Sequence, residues 1–98
     1  MIDHIRLGSV VAAPDQVSCD LAGETALLHL KSGVYFGLND VGTLVWNLVQ
    51  EPRSFAALRD AILEQYDVAP DRCERDLLAL IEELSTAGLV EIRDAPAP

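Results

Sequence analysis

The chain has 98 residues, half of them hydrophobic, which is the size of one domain with a core that needs neither disulfides nor metals. Sixteen acidic residues against seven Lys and Arg give a formal charge of −9. Nucleic acids and anionic membrane surfaces are bound through cationic side chains, so this balance argues against both as partners.

The N-terminal residues and the two cysteines indicate the compartment. The first six residues, MIDHIR, lack the basic-then-apolar layout of a signal peptide, and no apolar run approaches the roughly 20 residues of a membrane span. Cys19 and Cys73 belong to no CxxC pattern and fall on apolar stripes, which is typical of reduced core thiols. The sequence therefore predicts a cytoplasmic protein without a metal site or a cofactor.

The first half of the chain predicts strands. Residues 10–13 form a short extended entry that ends at Pro14, and residues 17–21 alternate as a half-buried strand does. Residues 25–30 and 34–38 form the next two strands, which are joined by a tight loop. The expected unit is a three-stranded antiparallel sheet.

The loop sets which side chains of the hairpin share a face. A two-residue turn at Ser32-Gly33 would place His29 and Lys31 beside Phe36. A three-residue loop over 31–33, with Gly33 in the left-handed conformation, places the apolar residues on one face. We therefore expect the pairs Leu30–Val34, Leu28–Phe36 and Ala26–Leu38, with Leu27 on the opposite face.

The second half predicts three helices. Asn39 or Asp40 caps the first, Ser54 caps the second, and apolar residues follow each at helical spacing. Pro70 opens the third, in which Asp71 and Glu74 have the spacing of a capping box, and Gly88 ends it. The prediction is an α+β fold, a single domain over 1–98 with an ordered core over about 10–92 and a disordered tail over 94–98.

Catalytic signatures are weak in this sequence. His4 and His29 stand alone, neither cysteine has a neighbouring histidine, and no glycine-rich phosphate loop is present. We assign no catalytic residue and predict that the chain is not an enzyme. A winged helix-turn-helix would use the third helix for recognition, but that helix is acidic and would repel DNA phosphates.

Peptide binding is the remaining interpretation. The strand over 34–38 follows a hairpin and leads directly into a helix, so its far edge has no partner that is adjacent in sequence. An open edge exposes backbone N–H and C=O groups that can pair with a foreign strand. The long third helix can lie beside this edge and complete a groove, in which Arg72, Arg75 and Asp76 could pair with peptide charges and Ala79 could admit a bulky side chain.

Four segments, taken in order, resemble the PqqD-like family of precursor-peptide recognition domains. The segments are Tyr35-Phe36-Gly37-Leu38-Asn39, Val41-Gly42-x-x-Val45-Trp46, Asp76-Leu77-x-x-Leu80-Ile81-x-x-Leu84 and Gly88-Leu89. The resemblance covers about residues 17–92 and is strongest to the stand-alone leader-binding protein of lasso-peptide pathways. The chain lacks the Trp-Glu and Gly-Trp segments that are expected of the pyrroloquinoline-quinone form of the family.

This resemblance implies a winged helix-turn-helix-like fold and a function. A leader segment would add as a strand beside residues 34–38 and be presented to a leader peptidase and an ATP-dependent cyclase. A partner of a radical-SAM or other peptide-modifying enzyme is the alternative, and a winged-helix transcriptional regulator is a weaker one. The peptide-binding residues that the resemblance implies are Val34, Tyr35, Phe36, Gly37, Leu38, Arg72, Arg75, Asp76, Ala79, Leu80 and Glu83.

Overall fold

The computed structural model describes residues 2–14, 16–21 and 24–93, and these form four helices and two three-stranded sheets. The described helices are all too short or too polar to cross a membrane. The predicted tail over 94–98 lies outside the described residues. In chain order the elements are α1 (Ile2–Leu7), β1 (Ser9–Ala12), β2 (Gln16–Leu21), β3 (Glu24–His29), β4 (Tyr35–Leu38), α2 (Asp40–Leu48), β5 (Arg53–Ser54), α3 (Phe55–Gln65), α4 (Pro70–Thr86) and β6 (Val90–Arg93).

The predicted α+β class is confirmed. Strands β2, β3 and β4 form an antiparallel sheet in that order, and helices α2, α3 and α4 follow it in the chain. A second sheet, of order β5-β1-β6, was not predicted, because it pairs strands that lie far apart in sequence. Helix α1 was also missed, although its Ile5 is part of the core.

The core lies between the helices and the two sheets, since Leu27 and Leu38 of one sheet and Val10 and Val90 of the other belong to one buried cluster. The helical spacing of apolar residues brings one stripe of each helix into this layer, and Trp46 joins it. The largest side chains with almost no exposed surface are Leu27, Leu38, Leu58, Ile81, Leu84 and Leu89.

Two helix starts are confirmed and one is different. The Asn39 side-chain oxygen accepts a hydrogen bond from the Gly42 amide at 2.9 Å, and the Ser54 hydroxyl accepts one from Ala57 at 3.1 Å. Helix α4 instead begins after Ala69, which makes no side-chain cap, so the capping box predicted from Asp71 and Glu74 is wrong.

Glu74 links three helices rather than capping one. Its two carboxylate oxygens accept hydrogen bonds from Arg6 of α1 at 2.8 Å and from Arg59 of α3 at 3.2 Å. The Arg6 guanidinium also lies 5.2 Å from the centre of the Phe55 ring, which is cation–π distance. These two arginines lower the pKa of the Glu74 carboxyl, Arg6 having the larger effect.

This lowered pKa makes part of the folding stability depend on pH. A carboxyl whose pKa is lower in the folded chain stabilises the fold above the unfolded value, about 4.3, and that stabilisation is lost as pH falls below it. We expect Glu74→Gln to lower the melting temperature at pH 7 and to reduce the further loss between pH 5 and pH 3. Melting curves of this variant and of Glu64→Gln, an exposed control on α3, test this. The same fall of melting temperature with pH in both variants and in the unmodified chain would contradict this prediction.

The β3–β4 hairpin is shifted by one residue from the predicted register. The structure pairs Leu27 with Phe36 and Leu28 with Tyr35, through a four-residue loop over 30–33. Leu27 is therefore fully buried, whereas Leu28 is 40% exposed, the reverse of the prediction. The pairs predicted for Leu30, Leu28 and Ala26 are wrong for the same reason.

Two glycines adopt positive φ, one in the hairpin loop and one after helix α4. Gly33 ends the loop in the left-handed conformation, with φ +73°, as predicted. Gly88, with φ +79°, ends α4, and the Leu89 amide then donates to the Leu84 carbonyl, which is the Schellman pattern. A β-carbon at position 88 would lie 3.3 Å from the His29 ring, so the end of α4 packs closely against β3.

Candidate functional site

Strand β4 is an edge strand with an open row of backbone groups. Among the described strands it pairs with β3 alone. The His29 amide donates to the Val34 carbonyl at 2.9 Å, so antiparallel alternation turns this carbonyl and the backbone groups of Phe36 and Leu38 toward β3. The N–H and C=O groups of Tyr35 and Gly37 therefore point outward. They offer two donors and two acceptors to an added strand.

A groove runs between β4 and the C-terminal half of α4. Its volume is about 570 Å³, and it is open to solvent along its length. Phe36 is half-buried on its β4 side, and Val34 beside it is 39% exposed. The α4 side presents small residues and carboxylates; the residues lining the whole groove are Val34, Phe36, Ala79, Glu82, Glu83, Thr86 and Ala87.

A second, more enclosed cavity of about 460 Å³ lies where β4 leads into α2. Asp76 and Leu80 of α4 are part of its wall and interleave along the helix with the groove residues Ala79 and Glu83, so groove and cavity lie along the same flank of the helix. Its lining is mainly apolar and comes from α2, α3, α4 and the connection between the last two: Asn39, Val41, Gly42, Ile62, Tyr66, Asp67, Val68, Cys73, Asp76, Leu77 and Leu80.

The thiol of Cys73 in this cavity is not set up for nucleophilic chemistry. Burial raises its pKa, and its sulfur lies 3.9 Å from the Arg59 carbonyl oxygen, to which it donates. A thiol in such surroundings stays protonated at neutral pH and packs as a small apolar group. The described residues also contain no cluster of three or more His, Cys, Asp or Glu side chains that could hold a metal ion.

The structure brings most of the predicted peptide-binding residues to this flank. Val34, Phe36, Ala79 and Glu83 line the groove. Asp76 and Leu80 line the cavity. Leu38 is 2% exposed, so its side chain packs in the core and is not open to a ligand.

The remaining predicted residues lie elsewhere. Tyr35 and Gly37 carry the outward backbone groups, but they share the opposite sheet face with Leu28 and Ala26, and Tyr35 is 66% exposed there. Arg72 is exposed and lies 3.7 Å from Asp76 in a surface ion pair. Arg75 is exposed on α4 and lines neither the groove nor the cavity.

Three groove residues on α4 were missed: Glu82, Thr86 and Ala87. They follow Ala79 at intervals of three, seven and eight residues, which are neighbours on one helix face. Extending the predicted flank by one turn beyond Glu83, toward Gly88, would have found Thr86 and Ala87, and Glu82 lies next to the predicted Glu83.

These features define a class of small α+β domain in which an open strand edge lies beside a helix-walled groove. The family model for coenzyme PQQ synthesis protein D (PqqD) matches residues 24–90, a span that includes β3, β4 and all three helices that follow. The chain belongs to the PqqD family.

Solved structures give two further likenesses. TbiB1 in complex with the TbiA(beta) leader peptide superposes with a TM-score of 0.76, at 36% identity, over 83% of this chain and 94% of that one. Lasso peptide synthetase B1 complexed with the leader peptide superposes with a TM-score of 0.74, at 26% identity, over 84% of this chain and 96% of that one. No curated protein matches the chain.

Proposed function

We propose that this chain is a non-catalytic module that captures the leader of a ribosomal precursor peptide by strand addition at β4 in lasso-peptide biosynthesis. The open backbone groups of Tyr35 and Gly37 carry the proposal, because they are what an added strand requires. The two similar structures, both complexes with leader peptides, support it.

Backbone pairing alone would not hold a leader. Two donors and two acceptors give about four hydrogen bonds, each contributing about 0.5–1.5 kcal/mol. Ordering the peptide backbone costs about 1–2 kcal/mol per residue, so the cost of ordering five residues exceeds that gain. Apolar leader side chains, each contributing about 1.5–3 kcal/mol on burial, must supply the remainder.

The cavity at the end of β4 is the place for such an anchor. Its volume of about 460 Å³ and its mainly apolar lining suit one or two bulky side chains. The groove beside Phe36 and Ala79 would take a further side chain from the same face of the added strand. Binding would thus combine sequence-independent backbone pairing with selection at these two places.

Presentation to enzymes is the second half of the proposal. A leader held along β4 leaves the rest of the precursor free for a separate leader peptidase and an ATP-dependent cyclase, which we propose as partners. We also propose a reducing, cytoplasmic setting, since both Cys19 and Cys73 are free thiols. Cys73 is buried, whereas Cys19 is exposed, so the prediction that Cys19 is a core thiol is wrong.

Leader titration tests the proposed function. The purified chain is added to fluorescein-labelled TbiA(beta) leader peptide, and to labelled leaders of precursors encoded beside this chain, with anisotropy as the signal. We expect saturable binding to at least one leader and none to a scrambled peptide of the same composition. Absence of binding to every leader by a folded chain would overturn the proposal.

A further inference from the structure

The carboxylates on α4 differ in how their charge is compensated. Glu74, on the flank facing α1 and α3, is held by two arginines, and Asp76 lies beside Arg72. Glu82 and Glu83 line the groove and are exposed. Neither has an ion-pair partner among the residues that the structure describes.

Covering the groove would remove water from these two carboxylates. Removing water from a charge that has no partner is unfavourable, whereas a cation placed beside the charge offsets that cost. The groove's other lining residues are Val34, Phe36, Ala79, Thr86 and Ala87, and none of them carries a charge. The compensating cation must therefore come from whatever fills the groove.

We propose that the peptide captured at β4 carries a lysine or arginine whose side chain reaches Glu82 and Glu83. This inference rests on the proposed function and adds the charge of the ligand to it. The same segment must place an apolar residue in the cavity near Asn39. Asn39 is five residues after the groove residue Val34, which is about 17 Å along an extended strand. Side chains on one face of a strand are an even number of residues apart, so the basic and apolar residues are separated by about four or six positions.

The charge of the whole chain acts in the same direction. At −9 it attracts a basic peptide from a distance and accelerates encounter at low salt. Such steering depends on net charge, whereas pairing in the groove depends on the positions of two glutamates. Two variants with equal net charge separate these effects.

Selection from a random dodecapeptide library displayed on phage, using the whole chain as bait, tests the proposal. One selected peptide is then synthesised, and the other selected peptides are kept only if an excess of it displaces them. Such displacement shows that they share a site. We expect a basic residue to be enriched four or six positions from an apolar one. Selection on Glu82→Gln/Glu83→Gln should lose this basic enrichment, and selection on Glu64→Gln/Glu91→Gln, which removes two exposed charges outside the groove, should keep it.

Affinities of one selected peptide then measure the pairing itself. Replacing its basic residue by norleucine should weaken binding to the unmodified chain and to the Glu64/Glu91 control by about three- to tenfold. It should change binding to the Glu82/Glu83 variant by less than about twofold. The peptide substitution is measured on the unmodified chain as well, so the test does not depend on one variant folding.

Peptides that bind at this edge without a basic preference would overturn this inference and leave the proposed function standing. A basic preference that the Glu82/Glu83 variant retains would also overturn it, and would assign the preference to net charge. Failure to select any peptide would overturn this inference, whereas the proposed function would be overturned only by failure of the leader titration.

Discussion

Replacing Tyr35 by proline is expected to weaken leader binding by about five- to 100-fold while leaving the fold intact. Proline removes the outward N–H of Tyr35, so the leader carbonyl that would accept from it is left unpaired when the strand is added. An unpaired buried carbonyl costs about 1–3 kcal/mol, and 1.4 kcal/mol is a tenfold change in affinity. Proline is tolerated on an edge strand when its missing N–H faces outward. Anisotropy titration gives the affinity, and a melting curve gives the stability.

Two controls separate the backbone group from the side chain. Tyr35→Ala keeps the N–H and removes the exposed ring, so it should bind the leader within about threefold of the unmodified chain. Phe36→Pro removes an N–H that points toward β3, so it should unfold the hairpin rather than act on the edge alone. Equal affinity of the folded proline and alanine variants at position 35 would rule out strand addition here.

Replacing Leu27 by alanine is expected to lower the free energy of unfolding by about 2–5 kcal/mol, because it leaves a cavity in a packed core. The same change at Leu28, which is 40% exposed, should cost about 1 kcal/mol or less. Urea denaturation of both variants gives the comparison. These adjacent leucines make a matched pair, since the substitution is identical and the two side chains differ in the sheet face on which the register places them.

A larger loss of stability at Leu28 than at Leu27 would indicate the register expected from a three-residue loop, with Leu28 beneath the helices. Equal losses at both positions would indicate that the hairpin populates two registers. Either result would move the outward backbone groups or make them variable, so this stability measurement also bears on the binding edge.

Most of the fold could be predicted from the sequence, because the signals for its helices act locally. The Asn39 and Ser54 caps, Pro70 at the start of α4 and Gly88 after its end each act within a few residues, and the structure places all four as expected. The second sheet depends on β1 pairing with β6, about eighty residues away, which no local pattern encodes. Helix α1 has six residues, too few for a periodic signal.

The hairpin register failed for a different reason. Leu27 and Leu28 are adjacent and identical, so both registers bury one leucine against Phe36 or its neighbourhood. The prediction rejected burial of the His29 side of β3, but the structure accommodates that histidine beside Gly88, where no side chain intervenes. Its ring nitrogen Nδ1 also lies 3.0 Å from the Ser32 hydroxyl, which satisfies its polarity within the loop.

The candidate site was predictable as an edge and a helix flank, but not in detail. The sequence placed Val34 and Phe36 on the same face of the strand, and in the structure both side chains do lie toward α4. Arg72 and Arg75 were chosen for their charge, and the rotation of α4 in the fold leaves both on its exposed surface. The cavity near Asn39 needs three helices to meet, so it could not be derived from any single stretch of sequence.

The unpaired edge of β4 also has a consequence for how the molecules behave toward one another. Bare strand edges are where folded proteins associate into larger aggregates, and charge is one means of preventing this. Near neutral pH, every copy carries the same large negative charge, so two edges repel before they can pair. That colloidal protection disappears as the medium approaches the isoelectric point of about 4.3.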